Sequence, residues 1–182
     1  MILFLRNALF LLILIEASLS HAFLVDYLKF QHAGEIGFYA IGAGLDISER
    51  YSLEFFYGHV PKEFGGIVIN TFSMKNNINI FSFNLLSILT EMFIGLNIYH
   101  VAGMNYQVSR KSSFPRNYYG EGSLRGMLYI GMNFKLSNSM RHGIYFESGI
   151  NDLVLTNYYN NPDIIDPFDY ASLGVGYSYD FF

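Results

Sequence analysis

Two histidines, His59 and His100, and three serines, Ser109, Ser112 and Ser113, are the residues whose types suit covalent chemistry in this chain of 182 residues. A histidine base can take the proton of a serine hydroxyl, and the activated oxygen then attacks an ester carbonyl. The competing reading makes both histidines part of a belt of amphipathic rings at a membrane interface. Cysteine is absent, which removes thiol chemistry and cysteine-ligated metals. Asp163, Asp166 and Asp169 recur every three residues, unlike the alternating ligands and central glycine of an EF-hand loop. Gly42-Ala43-Gly44 lacks the third glycine and the following helix of a nucleotide loop. Arg110, Lys111 and Arg116, flanked by Tyr106, Phe114, Tyr118 and Tyr119, make a basic aromatic segment suited to phosphate groups or a partner. No cofactor is expected.

The elements that must position these residues follow from a period of two. In Leu124–Leu136, Leu124, Gly126, Leu128, Ile130, Met132, Phe134 and Leu136 alternate with Arg125, Met127, Tyr129, Gly131, Asn133 and Lys135. A helix cannot put seven apolar or small residues on one face at that spacing, so the segment is a strand. Met92, Ile94, Leu96 and Ile98 against Glu91, Gly95, Asn97 and Tyr99 repeat it, as do Tyr51, Leu53, Phe55 and Tyr57 against Ser52, Glu54 and Gly58. His59 and His100 fall on the apolar sets. The full reading has strands over 23–31, 34–47, 51–60, 67–81, 91–101, 124–136, 143–155 and 169–182. The first is the least regular and fits either face.

The chain opens with Arg6, an apolar run Ala8–Ile15, and Ser20-His21-Ala22. That order matches a secretory signal cleaved after Ala22, and the run is far short of the ~20 residues of a membrane-spanning helix. The expected organisation is a signal over 1–22 and one domain over 23–182. Losing Arg6 and Glu16 leaves the net charge at −4, without the basic face of a nucleic-acid binder. Charged residues make up 14%, well below the ~25% of soluble domains, while Phe and Tyr number 18 and 15. An exported chain of this kind, with no helical span, satisfies its backbone in lipid by closing a β-barrel.

Glu54, Lys75, Glu91, Arg125, Lys135 and Glu147 all lie on the polar sets, which therefore face the lumen, where opposite charges pair. Gly42, Gly44, Gly174 and Gly176 fall on the same sets and suit a crowded interior. Short connections after the second and sixth strands and long ones after the fifth and seventh match periplasmic turns and extracellular loops. The apolar connection 82–90 breaks that pattern unless strands four and five extend into it. A secreted, lipocalin-like barrel with the apolar set inside is the rival fold.

At the C-terminus, Ala171, Leu173, Val175, Tyr177, Tyr179 and Phe181 alternate with Ser172, Gly174, Gly176, Ser178 and Asp180. This resembles the terminal signal of Gram-negative outer-membrane proteins, with Phe181 as the signal aromatic and Phe182 one residue beyond it. The whole pattern resembles small eight-stranded outer-membrane barrels of the OmpA/OmpX type. That resemblance implies a monomer in contact with outer-membrane lipid and lipopolysaccharide, delivered to the barrel-assembly machinery through the strand ending at Tyr179 and Phe181. The lipid A deacylase family is the nearest enzymatic comparison, but its late His-x-Ser motif is missing: Gly143 and Ile144 follow His142. The expected function is non-enzymatic, exerted through extracellular loops in surface interaction, adhesion or envelope integrity. The alternatives are an outer-leaflet lipid hydrolase using His59 or His100, and a narrow channel.

Overall fold

The computed structural model describes residues 25–102, 124–136, 141–162 and 166–181. The predicted signal segment 1–22, the basic residues Arg110, Lys111 and Arg116 and the aromatic Tyr118 and Tyr119 lie outside them, as do Ser109, Ser112, Ser113 and Asp163. Eight antiparallel strands follow one another around a closed barrel. They are β1 (Tyr27–Ala33), β2 (Tyr39–Ser48), β3 (Tyr51–Val60), β4 (Ile69–Leu85), β5 (Ile88–Ala102), β6 (Leu124–Leu136), β7 (His142–Asn151) and β8 (Ser172–Asp180). β1 closes the barrel against β8, with Tyr27 opposite Asp180 and Ala33 opposite Gly174. Closure leaves no sheet edge, which is the condition for strands in lipid.

Alternation in the sequence becomes alternation of exposure. On β6, Met127, Tyr129 and Asn133 are buried, whereas Leu124, Leu128, Ile130, Met132 and Leu136 are exposed. On β4 the buried side chains are Thr71, Ser73, Lys75 and Asn77, and the exposed ones include Phe72 and Ile78. The polar set is therefore inside and the apolar set outside, as an outer-membrane barrel requires and opposite to the lipocalin-like alternative. Partners traced from Tyr27 through Gly44, Glu54, Lys75, Asn97 and Met127 reach Asn151, at the far end of β7. Hydrogen bonding thus climbs the wall, and the strands are strongly tilted.

Several boundaries differ from the sequence reading, among them the last strand, which covers Ser172–Asp180 instead of 169–182 because Pro167–Tyr170 form a 3₁₀ turn. β1 covers 27–33 instead of 23–31, and Tyr27, Lys29 and Gln31 settle inward. β2 begins at Tyr39, because 33–37 form a turn in which Ala33, Gly34 and Glu35 have φ of 64°, 74° and 68°. β4 and β5 run through 82–90 and leave only Leu86-Ser87 as their turn, so the irregular connection is strand. A register shift between Asn79 and Phe81 keeps Phe81 and Phe83 outward beyond it. β7 stops at Asn151, and 152–155 belong to a helix rather than a strand.

Among the described residues two α-helices lie at the end of the barrel opposite Tyr27 and Asp180: α1 (Lys62–Gly65) and α2 (Asp152–Asn160). The Asn151 side chain accepts from Val154 N–H and caps the first turn of α2. A 3₁₀ turn at Pro167–Tyr170 leads into β8, and the Asp166 carboxylate accepts from Phe168 N–H to cap it. Asp166 thus has a structural task, and among the described residues no group of three His, Cys, Asp or Glu is placed to hold a metal.

Candidate functional site

Three places gather polar side chains: the mid-lumen, the outer face near the upper rim, and the lower mouth of the lumen beside Tyr27 and Asp180. In the mid-lumen, Lys75 Nζ lies 2.7 Å from both oxygens of Glu147 and 2.9 Å from Gln31 Oε1. Gln31 Nε2 donates to Glu147 Oε1 at 2.6 Å, and Tyr145 OH donates to Gln31 Oε1 at 3.0 Å. Lys75 is 1% exposed, and its charge is paired with the Glu147 carboxylate. A second pair lies beside it. Lys29 Nζ reaches Glu54 Oε1 at 2.5 Å, and Tyr27 OH donates to the same oxygen at 2.9 Å. Tyr129 OH donates to Asn77 Oδ1.

The glycines of the wall make room for this layer. A Cβ on Gly44 would sit 2.0 Å from the Tyr27 ring, and one on Gly176 would sit 2.3 Å from the Tyr145 ring. The long inward side chains therefore cross the lumen through space that the opposite wall leaves empty. Above them the turn at 33–37 folds into the barrel. Ile36 is fully buried against Ala40 and Phe56, and Glu35 accepts from Tyr99 OH at 3.2 Å and from Asn151 Nδ2 at 3.1 Å. An ion-paired layer and a folded-in turn close the lumen in series.

On the outer face, His59 Nδ1 is 2.8 Å from Asn70 Oδ1, which also accepts from Tyr57 OH at 2.9 Å. His100 is exposed on β5, opposite Phe72, so β4 separates the strands carrying the two histidines. Among the described residues no serine hydroxyl is hydrogen-bonded to His59. An amide and a phenol around an imidazole orient the ring without making a nucleophile. His142 sits at the opposite rim, hydrogen-bonded to Tyr177 OH and packed against the Tyr179 ring. The Tyr179 and Phe181 rings meet edge to face at 5.6 Å, so the terminal aromatics form part of a lower girdle.

The inward charges named from the sequence are brought together: Lys75 with Glu147, and Lys135 with Glu91 and Asp180. Arg125 pairs with Asp152 at the upper end. Lys29 and Gln31 were missed: they alternate with Leu28 and Phe30 alone, and the sequence reading left open which set of this strand faces inward.

No family model and no curated protein matches this chain. Solved structures similar to it include the outer membrane enzyme PagL, at 13% identity and TM-score 0.48, covering 87% of this chain and all of that one. The N-terminal β-barrel domain of Pseudomonas aeruginosa OprF is similar at 13% identity and TM-score 0.44, covering 86% of this chain and 98% of that one. At such identity and superposition the likeness does not extend to activity.

Proposed function

We propose that this protein is a non-enzymatic barrel of the bacterial outer membrane that acts from its extracellular rim in surface interaction. The observation that carries the reading is the placement of aromatic side chains at the end opposite the termini. Phe64 on α1, Tyr159 on α2, and Phe168 and Tyr170 in the 3₁₀ turn are all exposed. Exposed aromatic groups at a rim, above a wall already committed to lipid, suit contact with another molecule. The segment 103–123, which joins β5 to β6 in the chain, carries Arg110, Lys111, Arg116, Tyr118 and Tyr119, a composition that suits lipopolysaccharide phosphates.

Replacing 103–123 by a short neutral turn is expected to abolish surface binding or its phenotype while the barrel still assembles. A replaced variant that matches wild type in every surface assay would contradict the reading. The hydrolase alternative is tested in the same cells. Overexpression is expected to leave the lipid A and phospholipid mass spectra unchanged. A changed spectrum that reverts in His59→Ala or His100→Ala would replace this reading with an enzymatic one.

A further inference from the structure

We propose that the outer face of the upper rim, beside α1, holds the headgroup of a lipid bearing a phosphate monoester, gripped by His32, Tyr39, His59 and Lys62. The two imidazoles belong to the outward sets of β1 and β3, above the exposed Phe30 and Phe55. The strand register sets Tyr39 beside His59 and His59 beside Asn70. His32 joins the group through Phe38. The two rings meet edge to face at 4.7 Å, and Phe38 N–H donates to the His59 carbonyl oxygen at 3.0 Å. Phe38 also stacks on Phe64 of α1 at 4.1 Å, so strands, turn and helix form one continuous patch.

A belt of amphipathic rings accounts for the depth of these side chains. It does not account for how the imidazoles are held. His32 Nδ1 is 2.6 Å from the Phe38 carbonyl oxygen, which can only accept, so that nitrogen carries the proton. His59 Nδ1 meets Asn70 Oδ1 at 2.8 Å in the same way. Both rings therefore keep Nε2 uncommitted among the described residues. Asn70 gives its carbonyl to His59 and Tyr57, which leaves its amide N–H groups to donate. Among the described residues, neither Tyr39 OH nor Lys62 Nζ meets an acceptor.

Donors beside a fixed cation suit an anion. Glu63 follows Lys62 and so stands on a different side of the helical turn, and Glu35 is turned into the lumen toward Tyr99 and Asn151. The rim at α2 and the 3₁₀ turn is acidic instead: Asp166 and Asp169 are exposed, and Arg125 is committed to Asp152. Charge therefore places the anion on the α1 side. A phosphate monoester fits the imidazoles because its second ionisation lies near pH 6, which gives it a P–OH as well as charged oxygens. An imidazole Nε2 and a monoester oxygen can share that proton, whichever side it sits on, while Tyr39 and Lys62 donate to the other oxygens. A phosphodiester has the charge without the P–OH. That the phosphate arrives on a lipid rests on the outer-membrane reading above, with the apolar wall below the patch taking its chains.

The test is native mass spectrometry of detergent-refolded protein at pH 6 with phosphatidic acid, and with phosphatidylglycerol of the same acyl chains as the diester. Heat-modifiable gel mobility checks folding. One saturable copy of phosphatidic acid is expected, preferred about tenfold or more over the diester, as a hydrogen bond to a charged group implies. The preference is expected to disappear in His32→Phe with His59→Phe, which keeps two rings at the rim and removes both Nε2 atoms. Lys62→Gln is expected to weaken both lipids alike. Equal retention of the two lipids, or an undiminished preference in the double phenylalanine variant, would overturn the proposal. Displacement by inorganic phosphate at equal concentration would overturn it too, since the lipid would then add nothing. Preferential binding by a protein that fractionates outside the outer membrane would leave the patch standing and overturn only the location.

Discussion

Lys75 shows what a single residue does here. An ammonium 1% exposed, meeting both oxygens of Glu147 and one of Gln31, holds three strands of the wall together from inside. Lys75→Met is expected to cost about 3–5 kcal/mol, because it strands the Glu147 carboxylate, and Lys75→Met with Glu147→Leu to recover much of that loss. Urea unfolding midpoints in detergent measure both, and a single variant as stable as wild type would show that the pair contributes nothing. Gly58 makes a second case. A Cβ there would meet the Ile36 carbonyl oxygen at 1.6 Å, backbone against backbone, so the turn at 33–37 cannot stay inside the barrel. Gly58→Ala is expected to expel that turn and expose it to protease while the strands remain paired. Undiminished protease resistance would argue against the folded-in turn. Strict alternation made the inward direction of Glu54, Lys75 and Glu147 legible from the sequence. Lys29 and Gln31 were not legible, because Leu28 and Phe30 are too few apolar residues to fix a face.

At the scale of elements, β4, β5 and β6 carry the longest outward stripe, from Phe72 and Ile78 to Phe81 and Phe83 on β4 alone. The sequence shows this stripe but blurs its lower end. The register shift at Asn79/Phe81 puts Ile80 and Phe81 both outside and breaks the period that would otherwise run through 82–90. The end of β7 is misread for a related reason. Leu153 and Leu155 are apolar but stand out of phase with Ile144, Phe146 and Ile150, and Asn151 caps a helix at that point. The lipid-facing role of the stripe makes a depth-dependent prediction on one strand. Ile130→Arg, in the middle of β6, is expected to destabilise by about 2–4 kcal/mol in lipid vesicles, and Leu136→Arg, at its lower end, by about 0–1 kcal/mol. Equal costs at the two positions would mean that β6 does not cross a hydrocarbon layer.

For the molecule as a whole, the two faces of the wall divide the work. The outside is apolar, with rings gathered near both rims: Tyr39 and Tyr57 above, Tyr177 and Phe181 below. The inside is filled by ion pairs and crossing tyrosines, closed above by Ile36 and open below. An interior so filled leaves the rim as the place to meet other molecules, which is why the proposed function sits there. Architecture and facing were readable because a barrel's inside and outside repeat every second residue. The activity was not, because a loop such as 103–123 is bound by no period and its chemistry depends on what it meets. The most direct test of the account is gel mobility of the protein taken from an outer-membrane fraction, unboiled against boiled. A faster unboiled band that shifts on boiling is the predicted result for a closed, lipid-facing barrel. Recovery in the soluble periplasmic fraction, with no shift, would contradict it and turn the apolar wall into an unexplained surface.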